Sequence, residues 1–287
     1  MTASLVVDAH HHLWDPSRTE YPWMTAELAA IRRPFGPEDL RGLIAANGVD
    51  RTIVVQARSS LEETRELLEI AERTDFISGV IGWVDLAAAD VERSLASLRQ
   101  GPGGRFLVGI RHQVHDEPDP SWLLNARVRR GLEAVGEAGL AYDLLVRAAQ
   151  LPAALQAARQ LSGLSFVIDH LAKPAIAAGH QDPAWAEAMA PFSDLPNVRC
   201  KLSGMVTEAE WKNWSVEDLR PYVERCVGWF GEDRLLFGSD WPVCLLAADY
   251  ARVVASLREI LAGMPRPARE KVFGANAVTL YGLERLI

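Results

Sequence analysis

The sequence predicts an α/β protein: a single (β/α)8 barrel of the TIM type with an extra C-terminal helix, spanning residues 1–287 as one domain. Three observations predict it. Eight short apolar runs alternate with helix-like segments, 49% of the residues are hydrophobic, enough for a large core, and polar residues gather where the runs end. An open doubly wound sheet would hold the first and last runs far apart, whereas closure sets them side by side. Those two ends carry the residues best suited to chemistry.

The first run, Val6-Val7, enters Asp8-Ala9-His10-His11-His12. Side chains alternate along a strand, so Asp8, His10 and His12 are expected on one face and His11 on the other. After a Trp/Pro-rich loop, Pro37 to Asn47 reads as a helix ended by Gly48, and Thr52 to Gln56 as a strand. Ser60-Leu61-Glu62-Glu63 reads as a capping box opening a helix to about Thr74, and Phe76 to Trp83 is the third strand. A helix from Asp90 to Gln100 stops at Gly101-Pro102-Gly103-Gly104, before a strand from Phe106 to Arg111. Asn125 can cap a helix ending at Gly139. Ala141 to Val146 is the fifth strand, Pro152 to Leu161 a helix, and Ser165 to Ile168 the sixth strand. Asp182-Pro183 supplies a cap and a first-turn proline, Asn197 to Leu202 is the seventh strand, Ser215 to Phe230 is helical, and Arg234 to Phe237 is the eighth strand. A terminal helix runs from Ala275 to Leu283.

A formal charge of -8 without any Lys/Arg run excludes nucleic acid and anionic membrane as expected partners. No basic leader and no long uninterrupted apolar stretch is visible, so a soluble cytoplasmic protein, monomer or homodimer, acting on a small molecule is expected. Cys200, Cys226 and Cys244 are too few and scattered for a disulfide framework and read as reduced packing residues. His115 and His180 lie in polar stretches and are expected to be exposed.

Strand ends collect His10, His12, Gln56, Arg111, His112, His170, Lys201, Ser203 and Asp240. In a TIM barrel this is the face that carries chemistry. Two imidazoles in an H-x-H pair, with an aspartate from the last strand, could hold a divalent metal or manage protons around a water molecule.

Asp8-Ala9-His10-His11-His12-Leu13-Trp14-Asp15, Ile168-Asp169-His170-Leu171-Ala172-Lys173-Pro174, Cys200-Lys201-Leu202-Ser203-Gly204 and Phe237-Gly238-Ser239-Asp240-Trp241-Pro242 resemble the amidohydrolase superfamily. More narrowly they resemble its sugar-acid lactonase branch. The resemblance runs over nearly the whole chain and implies that Asp240 takes a proton from the attacking water, that His10 and His12 are the strand-one pair, and that His170 helps bind ligand or metal. Metal-rich members add a strand-four lysine and a strand-five histidine. Here those strands end in Ile110-Arg111-His112 and Asp143-Leu144-Leu145-Val146, so a binuclear centre lacks ligands. What remains is a single ion such as zinc on His10, His12, His170 and Asp240. Because relatives in this branch work without a required metal, the resemblance implies that no cofactor is required.

Opening a lactone with water needs a base, donors facing the developing oxyanion, and donors for the sugar hydroxyls. The catalytic candidates are Asp240, His170 and His112; the substrate-binding candidates are His10, His12, Arg111, Lys173, Trp14 and Gln56. Trp23, Trp83, Trp211, Trp214 and Trp241 also follow strand ends and are expected in loops that shape the pocket, whereas Asp143 is assigned to the opposite, stability face. The expected substrate is an aldonolactone such as L-fucono- or L-rhamnonolactone. Arg58, Arg111 and Arg147 leave a carboxylate clamp open. The competing readings are a metal-dependent nonoxidative decarboxylase of the same superfamily, against which the missing strand-five histidine counts, and a noncatalytic sugar-acid binding barrel.

Overall fold

The computed structural model describes residues 5–179 and 182–285. Eight strands, β1 (Val7–His11), β2 (Arg51–Val55), β3 (Ile77–Gly82), β4 (Leu107–His112), β5 (Ala141–Leu144), β6 (Phe166–Ile168), β7 (Val198–Leu202) and β8 (Leu235–Phe237), pair in chain order, all parallel. The ring closes where β8 meets β1: His12 N donates to Trp241 O at 2.6 Å and Asp240 N to His10 O at 2.8 Å. Helices follow the strands: α1 (Pro37–Ala46), α2 (Leu61–Arg73), α3 (Val91–Gln100), α4 (Ala126–Glu137), α5 (Leu151–Gln160), α6 (Pro183–Met189) and α8 (Val216–Phe230) stand where the sequence predicts helices, and a short α7 (Met205–Glu208) and α9 (Tyr250–Ile260) add two that it does not. The chain ends in α10 (Arg266–Glu270) and α11 (Asn276–Tyr281). Among the described residues no helix is long and apolar enough to cross a membrane.

The caps fall where their chemistry predicts. Asn125 accepts Arg127 N, Asp182 accepts Trp185 N, and Ser60 Oγ accepts Glu63 N. One prediction differs. The Glu63 carboxylate does not fold back onto Ser60 but takes the N–H groups of Ala57 and Arg58, both at 3.0 Å, so it staples the β2–α2 turn instead.

Two apolar layers result. The larger lies between the strands and the outer helices; the smaller fills the barrel lumen, where Val7, Ala9, Ile53, Val55 and Leu236 meet Ala277, Tyr281 and Leu283 of the C-terminal segment. That segment plugs the bottom of the barrel. Strand alternation would have put Asp8 with His10 and His12, but it does not join them. The β1 register shifts between Asp8 and His11, and Asp8 reaches Tyr250 OH on α9 at 2.9 Å and Ser239 N at 2.8 Å. Asp143 also departs from expectation, because it lies inside the lumen, fully buried, rather than on the far rim.

Candidate active site

Barrel closure puts the first and last strands' motifs in one place. His10 Nε2 lies 3.2 Å from His12 Nε2, and Asp240 Oδ1 lies 3.5 Å from His12 Nε2 and 3.9 Å from His10 Nε2. His170, from the turn after β6, brings its Nε2 to 3.9 Å from the same oxygen. His12 Nδ1 is 2.8 Å from the Val55 carbonyl, which can only accept, so Nδ1 carries a hydrogen and Nε2 is the atom turned toward the site. His11 points away and pairs with Thr52 Oγ1 at 2.9 Å.

Beneath this floor lies a buried ion network. Lys201 Nζ pairs with Asp143 Oδ2, with Asp169 Oδ1 at 3.1 Å and with His10 Nδ1 at 3.2 Å. Arg111 Nη1 meets Asp169 Oδ2 at 3.0 Å and His10 Nε2 at 3.3 Å, while Gln56 receives the rest of its guanidinium. Tyr281 OH of α11 donates to Asp143 Oδ1 at 3.3 Å, tying the C-terminal plug to the charges under His10. Four of these groups are charged and lie in the lumen, where each needs a partner because desolvation is costly. The roles of Asp169 and Lys201 were not read from the sequence. A lysine amid Cys200, Leu202 and the other buried residues of β7 was the available signal for an ion pair inside the barrel.

The backbone is unusual at the same place. His170, Leu171, Ala172 and Lys173 all have φ between 52° and 58°, and Asp240 has φ 57°; among the described residues these are the non-glycine positions in the left-handed region. Each costs on the order of 1–2 kcal/mol. Surrounding bonds hold the turn: His170 Nδ1 to Ser203 Oγ at 2.9 Å, Trp185 Nε1 to Leu171 O, and Lys173 Nζ to Glu208 Oε1 at 2.7 Å. Gly204 makes room for it, since a Cβ there would stand 2.5 Å from His170 Nδ1.

Burial works against ionisation of Asp240, yet His170, His12 and Lys173 together hold its carboxyl below the usual carboxylate range. Burial pushes His170 down to about 4 and His10 well below an ordinary imidazole. The floor therefore carries an ionised carboxylate facing neutral His10 and His170 at neutral pH. That is the protonation state a general base requires.

A cleft of about 360 Å³ opens above, lined by His12, Arg111, His170, Lys173 and Asp240 among the predicted residues. The others lie elsewhere. His112 follows Arg111 on β4 and so faces the opposite way; it receives Trp83 Nε1 at 2.9 Å, pairs with Glu117 at 2.7 Å and stacks on Trp122. Trp14 is buried beneath the β1–α1 loop, its indole donating to Ile31 O and Arg33 O, and meets the site by stacking on His12 and standing edge-on to Trp23. Gln56 and His10 are fully buried supports. Of the tryptophans, Trp23 and Trp211 reach the cleft.

His115 is not exposed as expected. It is half-buried in the cleft wall, with Nε2 3.2 Å from Asp116 Oδ1 and Nδ1 without a hydrogen-bond partner, and burial lowers it to about 3. His180 lies outside the described residues. Glu208, which sequence reading missed, pairs with Lys173 and, at 3.3 Å, with Arg147. Arg58, Arg111 and Arg147 thus do not converge: Arg111 is spent on Asp169, Arg147 on Glu208, and Arg58 sits beside Glu63.

His10, His12 and Asp240 offer three donor atoms within 4.8 Å of one another, and His10, Asp169 and His170 form a second such group. Each is a donor set that zinc accepts.

A family model described as Amidohydrolase matches residues 7–283. An L-fucono-1,5-lactonase of Burkholderia ambifaria is 42% identical over 283 residues, 97% of this chain and 96% of that protein. An L-fucono-1,5-lactonase of Burkholderia multivorans is 38% identical over 292 residues, 98% of this chain and 97% of that protein. A solved amidohydrolase of Burkholderia multivorans with bound zinc superposes with a TM-score of 0.92 at 34% identity, covering 97% of this chain and 99% of that one.

Proposed function

This chain belongs to the amidohydrolase family, and from that premise we propose that it hydrolyses the lactone ring of a sugar acid, an aldonolactone such as L-fucono-1,5-lactone, with Asp240 as general base. The observation that carries the reading is Asp240 itself: ionised, at the floor of the cleft, and ringed by imidazoles. The named lactonases at 38% and 42% identity supply the substrate class. The reading takes residues 1–287 as one barrel domain.

Water held against Asp240 attacks the lactone carbonyl and gives its proton to the carboxylate. Lys173, which lines the cleft, supplies positive charge for the oxyanion, and His12 and His170 orient water and substrate. When the ring C–O bond breaks, Asp240 returns the proton to the departing alkoxide and the product is the open-chain hydroxy acid. His112 has no part in this scheme, because it faces away from the cleft.

The residues present fit a single divalent ion, held by His10, His12 and Asp240 with His170 close by. Such an ion would polarise the carbonyl and make bound water more acidic. Our reading is that turnover does not require it, since Arg111 already places a permanent cation 3.3 Å from His10 Nε2. The decarboxylase alternative is not favoured: β5 ends in Tyr142-Asp143-Leu144 and offers no histidine.

A panel of aldonolactones followed by pH indicator, with and without chelator, tests the proposal. Acid release from L-fucono-1,5-lactone at enzyme-dependent rates is expected. Saturable binding of the lactones without turnover would overturn it in favour of a sugar-acid binding barrel.

A further inference from the structure

In the wall of the cleft two cations share one carboxylate. Glu208, the last residue of α7, lines the cleft together with Arg147, from the turn after β5, and Lys173, from the turn after β6. Its Oε1 receives Lys173 Nζ at 2.7 Å and its Oε2 receives Arg147 Nη1 at 3.3 Å. The Lys173 and Glu208 side chains are only 15% and 13% exposed, so water screens their attraction poorly; Arg147, 53% exposed, is the weaker partner. Both members of the tight pair are held in place. Lys173 ends the left-handed turn at φ 53°, and α7 is tied down by Thr207 Oγ1 donating to Gly204 O at 2.8 Å and Trp211 Nε1 donating to Thr207 O at 2.9 Å. Lys173 is also close enough to Asp240 to help keep that carboxyl ionised.

We propose that Glu208 tempers the charge of Lys173 so that the carboxylate product of lactone opening leaves the cleft. The inference rests on the lactonase reading above. A lactone is neutral and the hydroxy acid it yields is an anion at neutral pH, so the reaction itself adds a negative charge to the ligand. The ammonium that faces the developing oxyanion afterwards faces an oxygen of the product carboxylate. Left alone in a largely buried place, that ammonium would hold the product far more tightly than the incoming lactone, because hydrogen bonds between charged partners are about twice as strong as neutral ones. Glu208 prevents this. With Oε1 already on Nζ, the product must share the ammonium with a second anion that repels it. An ammonium has three donors, so Glu208 takes one and leaves the others for the reacting oxygen. Glu208 thus acts through Lys173 as a positioning residue and touches no reacting atom.

The experiment measures kcat and KM for L-fucono-1,5-lactone, and the inhibition constant of L-fuconate, the acid that hydrolysis yields, in the wild type, Glu208→Gln and Glu208→Asp. Glutamine keeps an oxygen for Lys173 and loses the charge. In that variant the inhibition constant of the acid is expected to fall by about 10-fold, the low end of what close charge pairs are worth in binding. There kcat and KM should fall together, leaving kcat/KM no lower than in the wild type, the mark of slowed release with chemistry intact. Glu208→Asp, which keeps the charge on a shorter arm, should return the inhibition constant toward the wild-type value. An unchanged or raised inhibition constant in Glu208→Gln, or a lower kcat/KM there, would show that Glu208 only holds Lys173 in place and would overturn the proposal with lactone hydrolysis intact. So would an aspartate variant that binds the acid as tightly as the glutamine one, since the effect would then come from packing. No turnover of the lactone by the wild type would overturn the lactonase reading, and this proposal with it.

Discussion

At the residue scale the site depends on groups that fill space and balance charge as much as on those that react. The left-handed turn from His170 to Lys173 fits only because position 204 has no Cβ and can itself adopt φ +62°. Gly204→Ala is expected to push the His170 ring aside and lower kcat/KM by about 100-fold or more, on the scale of losing a positioned catalytic group, with the protein still folded. Unchanged kinetics would show that His170 does not need this position. Lys201 tests the charge network. With it removed, Asp143 and Asp169 lose their shared partner, so Lys201→Met should cost about 3–5 kcal/mol of stability in denaturant unfolding. Combining it with Asp143→Leu should recover part of that loss, and strict additivity of the two changes would argue against the network.

At the element scale, α2 carries a titrating group at its first turn. Glu63 is buried, its Oε1 lacks a hydrogen-bond partner, and burial raises it from 4.5 to about 7 against the pull of the Arg58 and Ala57 N–H groups. Between those two pH values the folded chain keeps a proton that the unfolded chain has lost. Stability should therefore be greatest below pH 4.5 for this group and fall as pH rises through about 7. The loss is on the order of 3 kcal/mol at most. Glu63→Gln, which keeps an acceptor for both N–H groups, should flatten the change in Tm between pH 5 and pH 8; equal slopes in the two proteins would refute the assignment. The Ser60–Glu63 spacing made the helix start legible, but not this use of the carboxylate, because where it turns depends on the β2–α2 turn that the helix docks against. The strands were legible for a simpler reason. Runs such as Ile53-Val54-Val55 are covered on both faces and so are apolar throughout. Local irregularities were not legible. The register shift in β1 that separates Asp8 from His10 comes from pairing with β2, and no neighbour in sequence announces it.

At the scale of the whole molecule, closure of β8 on β1 makes the site. Asp240 N bonds His10 O, so the base and the imidazole pair are held by the same hydrogen bonds that complete the barrel. That much could be anticipated from motifs at the two ends of the chain. The lumenal support could not, since Asp143, Lys201 and Tyr281 come from β5, β7 and α11 and meet only after the ring has formed. Because Arg111 and Lys201 bring fixed positive charge to both ring nitrogens of His10, chelator treatment is expected to leave more than half of the lactonase activity. Complete loss restored by zinc would show that the ion is required. The central claim is that Asp240 activates water for lactone opening, and Asp240→Asn tests it most directly. Asparagine matches aspartate in shape and tolerates the left-handed backbone at φ 57°. The base works only when ionised, so wild-type kcat/KM for L-fucono-1,5-lactone should persist as pH falls to the ordinary carboxylate value of 3.8 and be lost only below it. In the variant, kcat/KM should fall by about 10²–10⁴ with that acid limb gone and the melting temperature little changed. A variant that kept more than about a tenth of wild-type activity, a loss far below the usual worth of a general base, and showed the same pH profile would contradict the account.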